Sequence, residues 1–410
     1  MASPVVDSDI AFIGGGFRTT TFLSSAPALL RHRVRVYERG PGVGPGGFAR
    51  YGITTTSIGS RFFKHLDLSG PFAPLAHSPA LTDVAHAEQP VAMHRLADAL
   101  TTLGRTLQSA LGTEGTRLDS TVVAVHADSD RHRVDVQLAD GSTESARHAV
   151  LATGRTERAH PELASWRTKV LLSGSVIATA RRSEIKGRLL AAHGRPVVVA
   201  GSSHSAMSAL QILLDLRTEL RAEHPGAPLP TVHVVRRGPA RLMHDSADRA
   251  HRNQVPGRER PFDPARDVCP ATGIVYRDSG LRHRSRALYC ALWAGELPGA
   301  TLVDAAVLAD ASDRFEEAAI VVQALGYRGQ APDLYVDGVL VRPGDSPDRL
   351  LADDDGALLV SGTAHPLLSV LRVEPTPLDR RDNTAYASDL YQRLAGRLDR
   401  LTAPVAEVSA

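Results

Sequence analysis

The stretch SDIAFIGGGFRTTTFLSSAPALLRHRVRVYERG, residues 8–40, decides the fold. Residues 10–13 are an apolar run of the length and composition of a buried parallel strand. Three glycines follow, Gly14, Gly15 and Gly16. Phe17, Phe22, Leu23, Leu29 and Leu30 then approach helical spacing, with Pro27 set to interrupt or end that helix. HRVRVYE alternates and closes on Glu38, as a second strand would.

Strand, glycine turn, helix, strand and acid, in that order, are what a dinucleotide needs. Gly14 lets the chain turn sharply, and Gly16 removes a side chain where the backbone must approach a pyrophosphate. The helix that begins near Phe17 offers free N–H groups to phosphate oxygens. Glu38 stands where a carboxylate accepts hydrogen bonds from a ribose diol, with Arg39 beside it. The third glycine of the usual Gly-x-Gly-x-x-Gly pattern is Thr19. That position serves helix–strand packing, so the change removes no phosphate contact. A plain glycine-rich connection between strand and helix is the alternative reading.

PVVVAGSSHSAMSAL, residues 196–210, repeats the logic. Val197–Val199 form a strand and Gly201 the turn. Ser202, Ser203, His204 and Ser205 lead into a helix, and TVHVVRRG, residues 231–238, supplies the next strand. This copy ends in Arg236 and Arg237. A carboxylate suits a free 2′-hydroxyl, whereas a guanidinium pairs with a 2′-phosphate. The first site therefore reads as FAD and the second as NADPH, with solvated arginines at a strand end as the alternative for Arg236 and Arg237. HAVLATGR, residues 148–155, and AIVVQALGYRGQAP, residues 319–332, are apolar strands that return to these turns with Thr153, Gly154, Gly326 and Tyr327. Between the first turn and the first return, three alternating segments beginning with STVVAVHAD, which carries Val123, read as a β-meander. Residues 93–111 read as an amphipathic helix.

At 410 residues, 43% of them hydrophobic, the chain has material for two domains. It has no apolar run long enough to span a bilayer. Residues 1–16 lack the basic and apolar regions of a signal peptide, so a cytoplasmic location is expected. Cys269 and Cys290 form no CxxC and no metal cluster, and no metal is expected. A net charge of +2 argues neither for nor against nucleic acid, and the basic segment 236–260 has no interleaved aromatics, so neither nucleic acid nor membrane is expected as a partner. That segment reads as a mobile loop.

The layout GGGFRT, Glu38, LATG, GSSHSA, Arg236-Arg237 and ALGY resembles the flavoproteins with two dinucleotide-binding domains. Among them it is most similar to the class B flavoprotein monooxygenases, in the ornithine/lysine N-hydroxylase branch. The resemblance implies an α/β fold of two Rossmann-like domains, with FAD bound by residues 1–154 and 331–410 and an NADPH domain, residues 155–330, inserted between. It implies hydroxylation of a small-molecule heteroatom, most readily an amine nitrogen, by O2 through a flavin C4a-hydroperoxide, as in secondary metabolism, and a possible homo-oligomer. It also implies that ALLVSGTAHPLLSVLR, residues 357–372, returns to the flavin with a helix starting near Leu368, and that His365 can steer a proton there or be merely structural. Arg50, in the glycine-rich loop 40–63, falls near the substrate if that loop is not simply surface. Arg277, Arg282 and Arg286 either shape the pocket or are solvated. The pattern departs at Thr19, at Ser202-Ser203 and at Leu325. A flavin oxidoreductase that inserts no oxygen, and a non-catalytic nucleotide-binding protein, remain as alternatives.

Overall fold

The computed structural model describes residues 6–270, 272–277, 279–344, 346, 350–371 and 383–402; in the last stretch side chains are described from Asp389 onward. Two sheets organise the chain. Strand Ser8–Ile13 lies at the centre of the larger one, which has ten strands. It pairs in parallel with Val34–Tyr37 on one side and Thr143–Leu151 on the other. In register, Ile13 faces Tyr37 and Leu151, so the three strands end level. The loops that follow them, at 14–17, 38–40 and 152–154, therefore share one edge. That is the crevice beyond the strand ends where open α/β sheets bind ligands. The meander is present as Val122–Asp128, Arg133–Leu138 and Thr143–Leu151, paired antiparallel.

The second sheet is wholly parallel, in the order Val170–Leu172, Ile320–Gln323, Val197–Ala200, Val232–Arg236, Ala300–Asp304. Ala200 is level with Val235 and Gln323, so this sheet repeats the same crevice. The chain crosses between the sheets twice, and the crossings pair with each other: Arg328 faces Thr156 and Gly329 faces Arg155. The fold is thus α/β, with two Rossmann-like units and the second inserted into the first.

Packing follows the apolar periods. On helix Met93–Leu111, Leu96, Leu100, Leu103 and Leu107 are fully buried, one stripe at three- and four-residue spacing. Gly104 on the same helix lets the 40–50 loop lie against it, because a Cβ there would stand 2.0 Å from the Val43 carbonyl oxygen. Helix Phe17–Ser25 stops before Pro27, and a 3-10 turn continues from it. Helix Asn383–Thr402 returns to the first unit, burying Leu390, Leu394 and Leu398. No helix of the described residues is long and apolar enough to cross a membrane.

Two expectations fail here. Segment 357–372, whose last residue lies outside the described residues, contains no helix beginning near Leu368: it forms strands Ala357–Val360 and Thr363–Val370. Leu368 is fully buried and pairs with Ala149. Leu368, Ser369 and Val370 pair in parallel with Ala149, Val150 and Leu151, and this long-range partner decides for a strand where the resemblance implied a helix. The segment 236–260 is also no loose loop. With residues up to 282 it forms a small cap on the second unit, containing helix Ala247–Asn253 and an apolar centre of Ala250, Val275 and Tyr276. Isolated bridges such as Leu242 to Leu281 and His244 to Val275 hold it. A buried pair, His244 Nε2 to Glu259 Oε2 at 2.6 Å, sits inside.

Candidate active site between the two sheets

At Gly14 the backbone has φ +109°, and a Cβ would lie 2.6 Å from the Ala152 carbonyl oxygen. Only glycine fits, so the first turn and the Ala152–Gly154 return can touch. The Gly15 N–H donates to Glu38 Oε2 at 2.8 Å and the Gly40 N–H to Glu38 Oε1 at 2.9 Å. The carboxylate is thereby oriented at the strand end with lone pairs left for a further donor. Thr19, in the third glycine's place, is fully buried, and its hydroxyl donates to the Gly14 carbonyl. No side chain caps helix Phe17–Ser25, whose first N–H groups stay open to an anion.

The second turn copies the first. Gly201 has φ +120°, and its Cβ would stand 2.4 Å from the Ala324 carbonyl oxygen. Helix His204–Glu223 begins there, again without a side-chain cap bond. His204 Nε2 lies 3.1 Å from the Gly280 carbonyl, so Nε2 carries the proton. Burial, then the nearby Arg282 guanidinium, lowers its pKa to about 4. The imidazole is neutral near pH 7.

Both turns open onto one cavity of 2320 Å³. From the first unit come Gly14, Gly16, Phe17, Glu38 and Arg39, the loop through Arg50 and Tyr51, and Thr153 with Gly154. From the second come His204, Ser205, Ser208 and Tyr327, and the cap adds Arg241, Arg266, Arg277 and Arg282. One wall is tied across the units by the Gly52 N–H, which donates to the Ile177 carbonyl at 2.8 Å. Near it Glu157 is buried; burial raises its pKa against the pull of the Ser173 hydroxyl and the Gly174 N–H, the latter at 2.6 Å. Burial, then the charge of Glu157, raises the pKa of Tyr327 as well, so its phenol stays protonated at the cavity wall.

Several expected site residues lie elsewhere. Arg236 does not face the cavity: it is 3% exposed, with Nε 2.5 Å from Asp304 Oδ1 and Nη2 2.9 Å from the Gly257 carbonyl. It bolts the cap to the sheet and is not available to a phosphate. Arg237 points away too, 3.8 Å from Glu162. Val123 is exposed on the outside of the meander, and its neighbour Val122 is the one that lines the cavity. His365 is buried away from the cavity, with Nδ1 accepting from the Leu367 N–H at 3.2 Å and its carbonyl accepting from Arg397 at 3.0 Å. Leu368 is in the same strand. Gly15, Gly201, Ser202, Ser203 and Gly326 shape the turns from behind; Ser203 Oγ donates to the Ala324 carbonyl at 3.4 Å. Leu325 packs against the cluster of Trp166 and Phe315 beneath the second sheet.

The sequence reading missed Arg241 and Arg266. Arg241 stands five residues beyond Arg236, and that spacing was the available signal. Arg266 had none, because only the irregular cap carries it to the cavity. No group of three or more potential metal ligands occurs among the described residues.

The chain matches no protein-family model and no curated protein. Its fold does match solved structures. A cadaverine monooxygenase of desferrioxamine biosynthesis from Erwinia amylovora, bound to FAD, is 15% identical, with TM-score 0.60 over 98% of this chain and 95% of that one. An ornithine N-hydroxylase from Kutzneria sp. 744, with reduced FAD, NADP+ and L-ornithine, is 17% identical, with TM-score 0.58 over 96% and 99%. The chain has the fold of these enzymes. A bacillithiol disulfide reductase from Bacillus cereus, 13% identical, also matches with TM-score 0.50 over 95% and 99%. The fold therefore serves more than one reaction.

Proposed function

We propose that the protein is an FAD-dependent, NADPH-using monooxygenase that hydroxylates an amine nitrogen of a small molecule: amine, O2, NADPH and a proton give hydroxylamine, water and NADP+. The observation that carries this reading is the single cavity shared by two glycine turns, one ending in an acid and the other flanked by guanidinium groups. FAD belongs on the first turn and NADPH on the second, with boundaries near residues 154 and 331. Both cradles fit their groups: Gly14 and Gly201 let each turn close on its return strand, and the helix that follows each turn starts with no side-chain cap on its N–H groups.

The residues act as follows. Glu38, held by two backbone N–H groups, orients the adenosine ribose of FAD. The open start of helix Phe17–Ser25 takes the pyrophosphate, with Arg18 and Arg39 beside it at the cavity. The open start of helix His204–Glu223, with Ser205, takes the NADPH pyrophosphate. Arg241 replaces Arg236 as the partner of the 2′-phosphate, because it follows the strand that ends at the adenosine ribose in such folds. When bound, FAD supplies hydride acceptance from NADPH and activation of O2. The loop through Arg50 and Tyr51, tied at Gly52, closes that chemistry off from water. Tyr327, kept protonated, holds a hydrogen-bond donor at the wall. A disulfide reductase working through a vicinal thiol pair has none to use, because the two cysteines of the sequence, Cys269 and Cys290, are 21 residues apart.

Purified protein supplemented with FAD tests this reading. It retains yellow flavin through gel filtration, NADPH bleaches it faster than NADH does without air, and amines speed NADPH oxidation in air. A protein that cannot hold FAD contradicts it.

A further inference from the structure

Behind one wall of the cavity stands an acid that neither nucleotide site uses. Glu157 follows the crossing at Arg155 and Thr156, is 9% exposed and is not itself among the residues that line the cavity. Its Oε1 accepts from the hydroxyl of the fully buried Ser173, and its Oε2 from the Gly174 N–H at 2.6 Å. Two phenols come to the same place. A Cβ at Gly174 would stand 3.1 Å from Glu157 Oε2, 3.2 Å from Tyr327 Oη and 3.7 Å from Tyr51 Oη. Tyr327 has both Ser173 and Tyr51 within hydrogen-bonding reach, so the groups follow one another as Glu157, Ser173, Tyr327 and Tyr51. Tyr327 and Tyr51 line the cavity, and Tyr51 packs against the cores of both units. The far end approaches the first nucleotide turn: a Cβ at Gly47 would lie 4.0 Å from Tyr51 Oη, and one at the preceding Gly46 3.3 Å from Gly16 Cα. The groups that face Glu157 are thus Ser173 and Gly174 of the second unit, Tyr327 of the returning crossing and Tyr51 of the first unit's loop, and none of them is a cation. Arg155, two residues before it, donates to the Tyr327 backbone carbonyl at 2.6 Å. Burial raises the pKa of Glu157, so its carboxyl keeps a proton to higher pH than an exposed glutamate does.

We propose that Glu157, Ser173, Tyr327 and Tyr51 form a path that carries into the cavity the proton each turnover consumes. The proposal rests on the monooxygenase reading for the demand: NADPH, O2 and one proton are used whether the oxygen goes to an amine or leaves as H2O2. The Tyr51 O–H bond breaks toward the cavity as its oxygen takes the Tyr327 proton. Tyr327 takes the proton of Ser173, and Ser173 that of the Glu157 carboxyl. The carboxylate left behind takes a proton from water, and no electrons pass between the residues. Each hydroxyl can serve because it is donor and acceptor at once. Tyr51 delivers the proton; Glu157, Ser173 and Tyr327 act through it and hold it in supply.

Two measurements on the full chain test this path. Without cofactors, infrared difference spectra taken across pH follow the C=O band of a protonated carboxyl group. The expected band titrates above the range of an exposed glutamate, is missing from Glu157→Gln and shifts in Ser173→Ala. With FAD loaded, NADPH oxidation in air is followed from acid to alkaline pH. Tyr327→Phe and Glu157→Gln are expected to slow it by at least about tenfold at alkaline pH and by less at acid pH, the size of a lost proton-transfer group. Imidazole buffer, a small mobile proton donor, restores the rate in proportion to its concentration, which it would not do for a wall that had merely lost its shape. Tyr327→Phe keeps the ring, so it carries the test if the Glu157 variant does not fold. Unchanged rates in both variants overturn the path, and so does a loss that is equal at every pH and indifferent to imidazole. A carboxyl band untouched by Glu157→Gln overturns it too; all three results leave the monooxygenase reading intact. A wild type that oxidises no NADPH in air overturns the monooxygenase reading, and the path with it.

Discussion

Arg236 Nε lies 2.5 Å from Asp304 Oδ1, and its Nη2 lies 3.1 Å from Oδ2, so the guanidinium that ends the second nucleotide strand is spent on a neighbouring strand. It also donates to the carbonyls of Gly257 and Arg258, the latter at 3.1 Å, and to the Tyr289 hydroxyl. Arg236→Ala removes a buried guanidinium and leaves the buried Tyr289 hydroxyl without that donor, while Asp304 and Gly257 are exposed and turn to water; it costs roughly 1–3 kcal/mol of stability. It leaves the ratio of NADPH to NADH affinity unchanged. Urea denaturation and cofactor titration of the one variant read both quantities.

Arg241 is the contrasting case. It is exposed at the cavity, with the Tyr276 ring 5.7 Å from its guanidinium carbon and no ion pair among the described residues. Arg241→Ala weakens NADPH binding by about tenfold to a hundredfold, the worth of charge-assisted hydrogen bonds of roughly 1.5–3 kcal/mol, and leaves NADH binding alone. The measurement is fluorescence titration with the two nucleotides.

The first turn gives a pair of variants with opposite outcomes. Gly14→Ala forces a side chain to φ +109° and against the Ala152 carbonyl, and the protein loses its FAD. Thr19→Gly restores the usual glycine pattern but removes the hydroxyl bound to Gly14; it keeps FAD and is less stable by about 1 kcal/mol, mostly from the lost hydrogen bond and a few tenths from glycine's weaker helix propensity than threonine's. Flavin absorbance after desalting and thermal melts distinguish the two.

Much of this was legible in the sequence. The glycine turns and the place of Glu38 after the second strand follow from short local patterns, and the 93–111 helix from its apolar stripe. The fate of Arg236 was not legible, because Asp304 and Tyr289 reach it only through the sheet and the cap. Nor was the cap itself, which single bridges and the buried His244–Glu259 pair hold around the short helix Ala247–Asn253. The helix near Leu368 was implied by the family resemblance and by no pattern in the residues, and Ala149, with which Leu368 pairs, decides for a strand instead.

Acid sensitivity follows from His148. It is buried, its Nε2 is 2.9 Å from Ser369 Oγ, and burial lowers its pKa from 6.5 to about 3, with the charge of Arg397 acting the same way. The unfolded chain therefore takes up a proton near pH 6.5 that the folded chain refuses until about pH 3. Stability falls as pH drops through that window, by at most about 1.4 kcal/mol per pH unit for this residue. His204, neutral for the same reason, adds in the same direction between 6.5 and about 4. Denaturation midpoints at pH 7.5 and 5 measure the slope, and His148→Asn reduces it.

On the proposed function, two nucleotide sites share one cavity in order to place an oxygen atom on an amine. That function is tested most directly by running the FAD-loaded protein with NADPH and an amine under 18O2 and weighing the product. The expected product is a hydroxylamine heavier by one 18O atom, formed in step with NADPH consumed. NADPH consumption with no 18O in any product, or faster turnover with another electron acceptor in place of O2, contradicts it.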